Sequence, residues 1–137
     1  MRLTRHTDYS FRVLIYLATH EGQSCAIAEI AKAYRISYNH LMKVATGLAH
    51  AGFVEAQRGR GGGLKLAKPA SIIRVGDVVR ATEEGMQLAD CGSCTIAPVC
   101  GLNGVLASGV NAMLKVFDGY TVADIALKRT QLNKILG

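Results

Sequence analysis

Cys91, Cys94 and Cys100 fall within ten residues of a 137-residue chain whose fourth cysteine, Cys25, stands alone. Thiolates are soft, electron-rich donors that suit iron–sulfur clusters and zinc, and three so close in sequence converge only if the loop bearing them wraps around the metal. A closed zinc site takes four protein ligands. Neither a fourth Cys nor a His lies near the trio. The motif therefore favours an iron–sulfur cluster, with zinc and a metal-free thiol switch as the other readings. A small dithiol oxidoreductase working through Cys91 and Cys94 has the right C-x-x-C pair but lacks the βαβ context such enzymes need. The four cysteines show no disulfide-scaffold spacing, which fits a reducing compartment, and Cys25, at the start of a helix, reads as a small core residue.

The elements that must position this loop follow from hydrophobic period. Between Asp8 and Ala18, Phe11, Leu14, Ile15 and Ala18 mark one face of an amphipathic helix, with Thr7 as the expected N-cap. Ile27, Ile30, Ala31 and Tyr34 predict a second helix ending at Arg35-Ile36. A third starts at Ser37, repeats Leu41, Val44, Ala45 and Leu48, and stops at Gly52. Phe53 to Arg58 and Leu64 to Ala67 flank five residues rich in glycine, which predicts a hairpin. Three helices followed by a hairpin is the order of a winged helix-turn-helix, in which the third helix enters the DNA major groove.

A short helix is expected around Val75 to Thr82, then the cysteine loop. From Leu102 the apolar residues Val105, Leu106, Val110, Met113, Leu114 and Phe117 recur at helical spacing. One helix cannot bury so wide a stripe alone, and the same helix of a second subunit would cover it, giving a twofold dimer suited to a palindromic site. Thr121 to Lys128 and Leu132 to Leu136 read as short closing elements. The expected fold is mainly α with a small β-wing. Residues 1–83 form the winged helix-turn-helix domain, 84–101 the cysteine loop, and 102–137 the dimerisation helix and closing elements.

Charge supports a polyanionic partner for the first part. Residues 1–80 carry twelve Lys/Arg against five Asp/Glu, and residues 81–137 four against five. Each cation placed on a phosphate releases condensed counterions. Beside the cap Ser37, the outward positions at the start of the third helix are Tyr38, Asn39, His40 and Lys43; Asn39 suits adenine and His40 a guanine or phosphate. Arg58, Arg60 and Lys65 flank the glycine turn, thin enough to bring an arginine into a narrow minor groove. The same glycines are not a nucleotide-phosphate loop, since no GKS/T ending or following helix is present. No run approaches the roughly 18 apolar residues of a membrane span, and no signal-peptide pattern opens the chain, so a soluble cytoplasmic protein without a membrane partner is expected.

Met1-Arg2-Leu3-Thr4, the Thr7-Asp8-Tyr9 start of the first helix, Ser37 to Leu48, the wing Arg58-Gly59-Arg60-Gly61-Gly62-Gly63, Lys68-Pro69, Gly76-Asp77-Val78-Val79-Arg80 and Thr82-Glu83 together resemble the Rrf-type winged-helix regulators. The resemblance covers nearly the whole chain. It implies a homodimeric transcriptional regulator, usually a repressor, with an iron–sulfur cluster in the loop before the dimerisation helix. The segment from Asp90 to Cys100, above all Ile96-Ala97-Pro98-Val99-Cys100, is similar to the family's nitric-oxide-sensing branch. In that branch a 4Fe–4S cluster takes three cysteines and an aspartate from the first helix of the partner subunit, which here implies Cys91, Cys94, Cys100 and Asp8. Cluster-assembly and iron-responsive regulators of the same family are the alternatives. A 2Fe–2S site of the kind completed by a histidine three residues past the last cysteine finds Asn103 at that position. The gap between Cys91 and Cys94 is also shorter than is usual in the family.

Overall fold

The computed structural model describes residues 1–126 and 129–136. Helix α1 (Arg5–Thr19) begins one turn earlier than its apolar period suggests, because Thr4 is the cap and its Oγ1 accepts the Thr7 N–H at 3.3 Å. Thr7 is therefore not the N-cap: it lies inside the first turn, fully buried, with its hydroxyl 3.1 Å from that of Thr4. The first threonine in the sequence meets the free N–H groups of the turn, and the second is carried into the interior. Val13, Leu14 and Leu17 then face the core.

Helices α2 (Ile27–Tyr34) and α3 (Tyr38–His50) follow as expected. Ser37 caps α3 by accepting the His40 N–H at 3.2 Å, and Leu41, Val44, Ala45 and Leu48 are the face it buries. Strands β1 (Val54–Gln57) and β2 (Gly63–Leu66) pair antiparallel with Val54 opposite Leu66 and Glu55 opposite Lys65. A third, single-residue strand joins them. Cys25 forms a β-bridge with Leu64 through two hydrogen bonds, of 2.8 Å from its own N–H and 2.7 Å to its carbonyl. Cys25 is thus a core residue that anchors the wing, with its thiol pushed up in pKa by burial and by the Glu29 carboxylate.

After a 3-10 turn at Ala70–Ile72, α4 (Val75–Thr82) packs between α1 and α5 (Leu102–Asp118). Arg80 of α4 grips Asp118 of α5 through two hydrogen bonds, 2.7 and 2.8 Å, and Asp118 lies so close over Gly76 that a side chain there would collide with its carboxylate. The chain then returns to the N-terminal helices: the Val75 N–H reaches the Tyr120 carbonyl and the Val122 N–H that of Ile73, and the short α6 (Val122–Ile125) rests on α1. Of the closing element expected over Thr121 to Lys128, Leu127 and Lys128 lie outside the described residues. The last helix, α7, spans Arg129–Leu136.

In a single chain α5 buries only Leu114 fully, while Leu102, Val105 and Val116 are 54, 68 and 59% exposed. A helix with so much exposed apolar surface is suited to packing against a further element.

Candidate metal centre and nucleic-acid interface

The loop between α4 and α5 is a chain of tight turns. The Cys94 N–H donates to the Cys91 carbonyl (3.3 Å), the Ala97 N–H to that of Cys94 (3.2 Å), and the Cys100 N–H to that of Ala97 (3.4 Å). The turns repeat every three residues, the interval on which all three cysteines fall. Asp90 opens the series. Its carboxylate accepts the Ser93 hydroxyl at 2.7 Å, and this bond, helped by the N–H groups of Ser93 and Gly92, holds the carboxyl below the ordinary aspartate range. All three thiols are free of disulfides; Cys94 is exposed, Cys91 and Cys100 partly so.

No Lys or Arg occurs from Ala81 to Leu114, whereas Glu83, Glu84 and Asp90 do. Three thiolates gathered next to the Asp90 carboxylate would repel one another unless a polycationic core sat among them. The donor set thus fits an iron–sulfur cluster chemically and lacks one ligand. Among the described residues no three His, Cys, Asp or Glu side chains already converge on one point. Gathering the thiols on one metal centre would require the loop to close around it.

Asp8 sits in the first turn of α1, about half exposed, and Arg12 holds it with bonds of 3.2 Å to Oδ1 and 2.9 Å to Oδ2. The Arg12 guanidinium lies 5.3 Å from the centre of the Tyr9 ring, and Tyr9 meets the His40 ring edge-on at 4.8 Å. The i, i+4 spacing of Asp8 and Arg12 could have shown this pair in the sequence; the contact of Tyr9 with His40 joins distant helices and could not.

The DNA-facing candidates fall into three groups. Tyr38, Asn39 and Lys43 are exposed along the start of α3, with Ser37 capping it and His40 half-buried against Tyr9. Arg58 and Arg60 are exposed at the wing tip, where Gly59 and Gly61 have φ of 95° and 72°. Lys65 stands apart, because its ammonium is drawn across the hairpin to Glu55 at 3.5 Å. Between Glu29 and Glu55 there is no acidic residue, so Lys43 is the one formally charged side chain of α3 and adds to its positive N-terminal dipole.

A capped recognition helix beside a basic glycine wing, on a helix-turn-helix core, defines a winged-helix DNA-binding protein. Residues 3–128 match the Rrf2 family, described as an iron-dependent transcriptional regulator. The chain belongs to this family. It is 44% identical to the HTH-type transcriptional regulator NsrR of Bacillus licheniformis, covering 99% of both proteins, and equally identical to NsrR of Bacillus subtilis, covering 99% of this chain and 97% of that one. Among solved structures it is similar to T. potens IscR, with 25% identity and a TM-score of 0.75 over 91% of this chain and 85% of the other. The chain is accordingly a DNA-binding transcriptional regulator and not an enzyme. None of its described helices is long and apolar enough to cross a membrane.

Proposed function

We propose that the chain is a homodimeric, cytoplasmic repressor that binds a palindromic operator in double-stranded DNA and senses nitric oxide through an iron–sulfur cluster. Cys91, Cys94 and Cys100 of one subunit and Asp8 of the other would hold a 4Fe–4S group; 2Fe–2S is the alternative, and redox or iron status the alternative signal. The carrying observation is the cysteine loop itself: three unbridged thiols on a three-residue turn period, among acids and without one basic residue.

When bound, the cluster supplies an iron held by a hard, weak oxygen donor and therefore open to exchange with a diatomic molecule. The chain's own groups supply the rest. The exposed stripe of α5 supports pairing of two subunits, which brings α1 of one toward the loop of the other. Asp8 would ligate through a lone pair that Arg12 does not use, and α1 packs directly on α3. Ligation thereby bears on the angle between the two recognition helices, the quantity that half-site spacing reads. Ser37, Tyr38, Asn39, His40 and Lys43 would meet the major groove and Arg58 and Arg60 the minor groove, with Lys65 available once it releases Glu55.

An anaerobic absorption and native mass spectrum of the purified protein, before and after stoichiometric nitric oxide, tests the reading. A brown dimer of 4Fe–4S mass that bleaches on addition is expected. A colourless, metal-free dimer indifferent to nitric oxide would remove the cluster and leave the DNA-binding half.

A further inference from the structure

Two helices of the DNA-binding core end in the same hydrogen-bond pattern with different residues at the critical place. At the end of α3 the Phe53 N–H returns to the Leu48 carbonyl (3.0 Å) and the Gly52 N–H to that of Ala49 (3.1 Å). At the end of α2 the Ile36 N–H returns to Ala31 (2.9 Å) and the Arg35 N–H to Lys32 (3.2 Å). Both are Schellman motifs, which need a left-handed residue just past the helix. Gly52 fills that place with φ 84°, as expected of the residue that enters this region without strain. Arg35 fills it with φ 56° and ψ 43°, the one non-glycine residue at positive φ among those described.

The left-handed turn at Arg35 seats Ile36 in the core, a task that glycine would perform equally, and the Arg35 side chain itself serves no packing. Ile36, its neighbour, is the buried member of the motif, while the Arg35 side chain is exposed and takes part in no ion pair among the described residues. A strained backbone kept where glycine would do points to a use for the side chain. Arg35 lies two residues before Ser37, the cap of α3, in a stretch free of acids, with exposed Lys32 three residues earlier. In a helix-turn-helix the first helix crosses the sugar-phosphate backbone and the second enters the groove, so the turn between them stands over phosphates.

We propose that Arg35 is a DNA-binding residue whose guanidinium takes a backbone phosphodiester beside the recognition helix. This extends the DNA-binding reading and requires neither the cluster nor nitric oxide. A guanidinium can grip two phosphate oxygens at once, and such a contact adds affinity without reading sequence.

The test compares full-length wild type, Arg35→Gly and Arg35→Lys for melting temperature and for affinity across a salt series. The probes are a duplex selected by the wild type from a random library and an unrelated duplex. Arg35→Gly is expected to melt at or above the wild-type temperature yet bind both duplexes about tenfold more weakly, with a salt slope shallower by about 0.9 per subunit. Arg35→Lys should keep the wild-type slope. An Arg35→Gly protein with wild-type affinity and slope would overturn the proposal, as would one whose melting temperature and affinity fall together at an unchanged slope, which would make Arg35 a structural cap. A wild type that enriched no duplex from the library and bound the unrelated one no better than background would overturn the regulator reading as well.

Discussion

Gly63 opens the second wing strand at the point where the wing meets the body of the domain. A Cβ added there would overlap the Cys25 carbonyl oxygen and lie 2.5 Å from its carbonyl carbon and 2.9 Å from the Ala26 nitrogen. These are backbone atoms, which cannot swing aside as a side chain can, so Gly63→Ala has to push the Cys25 strand away from Leu64. Overpacking of this kind costs about 1 to 3 kcal/mol, and weakening the two Cys25–Leu64 hydrogen bonds adds about 1 kcal/mol. With about 2.1 cal/mol/K of unfolding entropy per residue over 137 residues, a loss of about 3 kcal/mol lowers the melting temperature by about 10 °C. Thermal unfolding followed by circular dichroism reads this directly. Gly59→Ala is the control, since Gly59 has φ 95° but open space around it, and its cost of about 1 kcal/mol should lower the midpoint by only about 3 °C. Operator affinity should fall for Gly63→Ala although no charge has changed, because Arg58 and Arg60 ride on the displaced hairpin. A Gly63→Ala protein melting within about 2 °C of wild type would refute the claim that Cys25 and Leu64 are rigidly joined.

The other predictions concern the site and its supports. Cys94→Ala should yield a folded dimer without bound iron or sulfide, since the residue is exposed and its loss leaves no cavity; full iron and sulfide content would remove it from the ligand set. Asp8→Ala should retain the cluster but lose it faster in air and nitric oxide, and unchanged decay kinetics would count against it. Arg60→Ala should reduce the salt slope of operator binding by about 0.9 per subunit if it meets one phosphate, with an unaltered slope leaving the wing tip unassigned. Asp118 is held below the ordinary carboxylate range by the Arg80 guanidinium, so its contribution to stability is present above its unfolded pKa and fades as pH falls through the folded one. The melting temperatures of wild type and Asp118→Asn should therefore differ at neutral pH and converge in acid. A gap that persists undiminished would assign the effect to something other than this ion pair.

Much of the DNA-binding core is legible in the sequence because its signals are local. Ser37 before an apolar repeat, Gly52 after it, and five glycine-rich residues between two short β runs each specify backbone geometry within a few residues. The first helix shows the limit of such signals. Thr4 and Thr7 are equally good caps by type, and the choice depended on Thr7 being drawn into the core. Arg35 shows another limit, since a left-handed residue announces itself when it is glycine and is hidden when a tertiary or functional demand overrides that preference.

For the candidate metal centre the sequence supplied the donors and not their arrangement. Residue types determine that three soft thiolates, an acidic loop and a basic N-terminal half belong to this chain, since these follow from side-chain chemistry wherever the chain goes. Only the tertiary structure decided that Cys25 is bridged to Leu64, that Tyr9 of the first helix meets His40 of the third, that Lys65 turns to Glu55, and that Arg80 clasps Asp118 across 38 positions. Hydrophobic period and capping act through neighbours a few residues apart. Pairings of remote residues instead follow from how close-packed elements fill space, which no local pattern encodes.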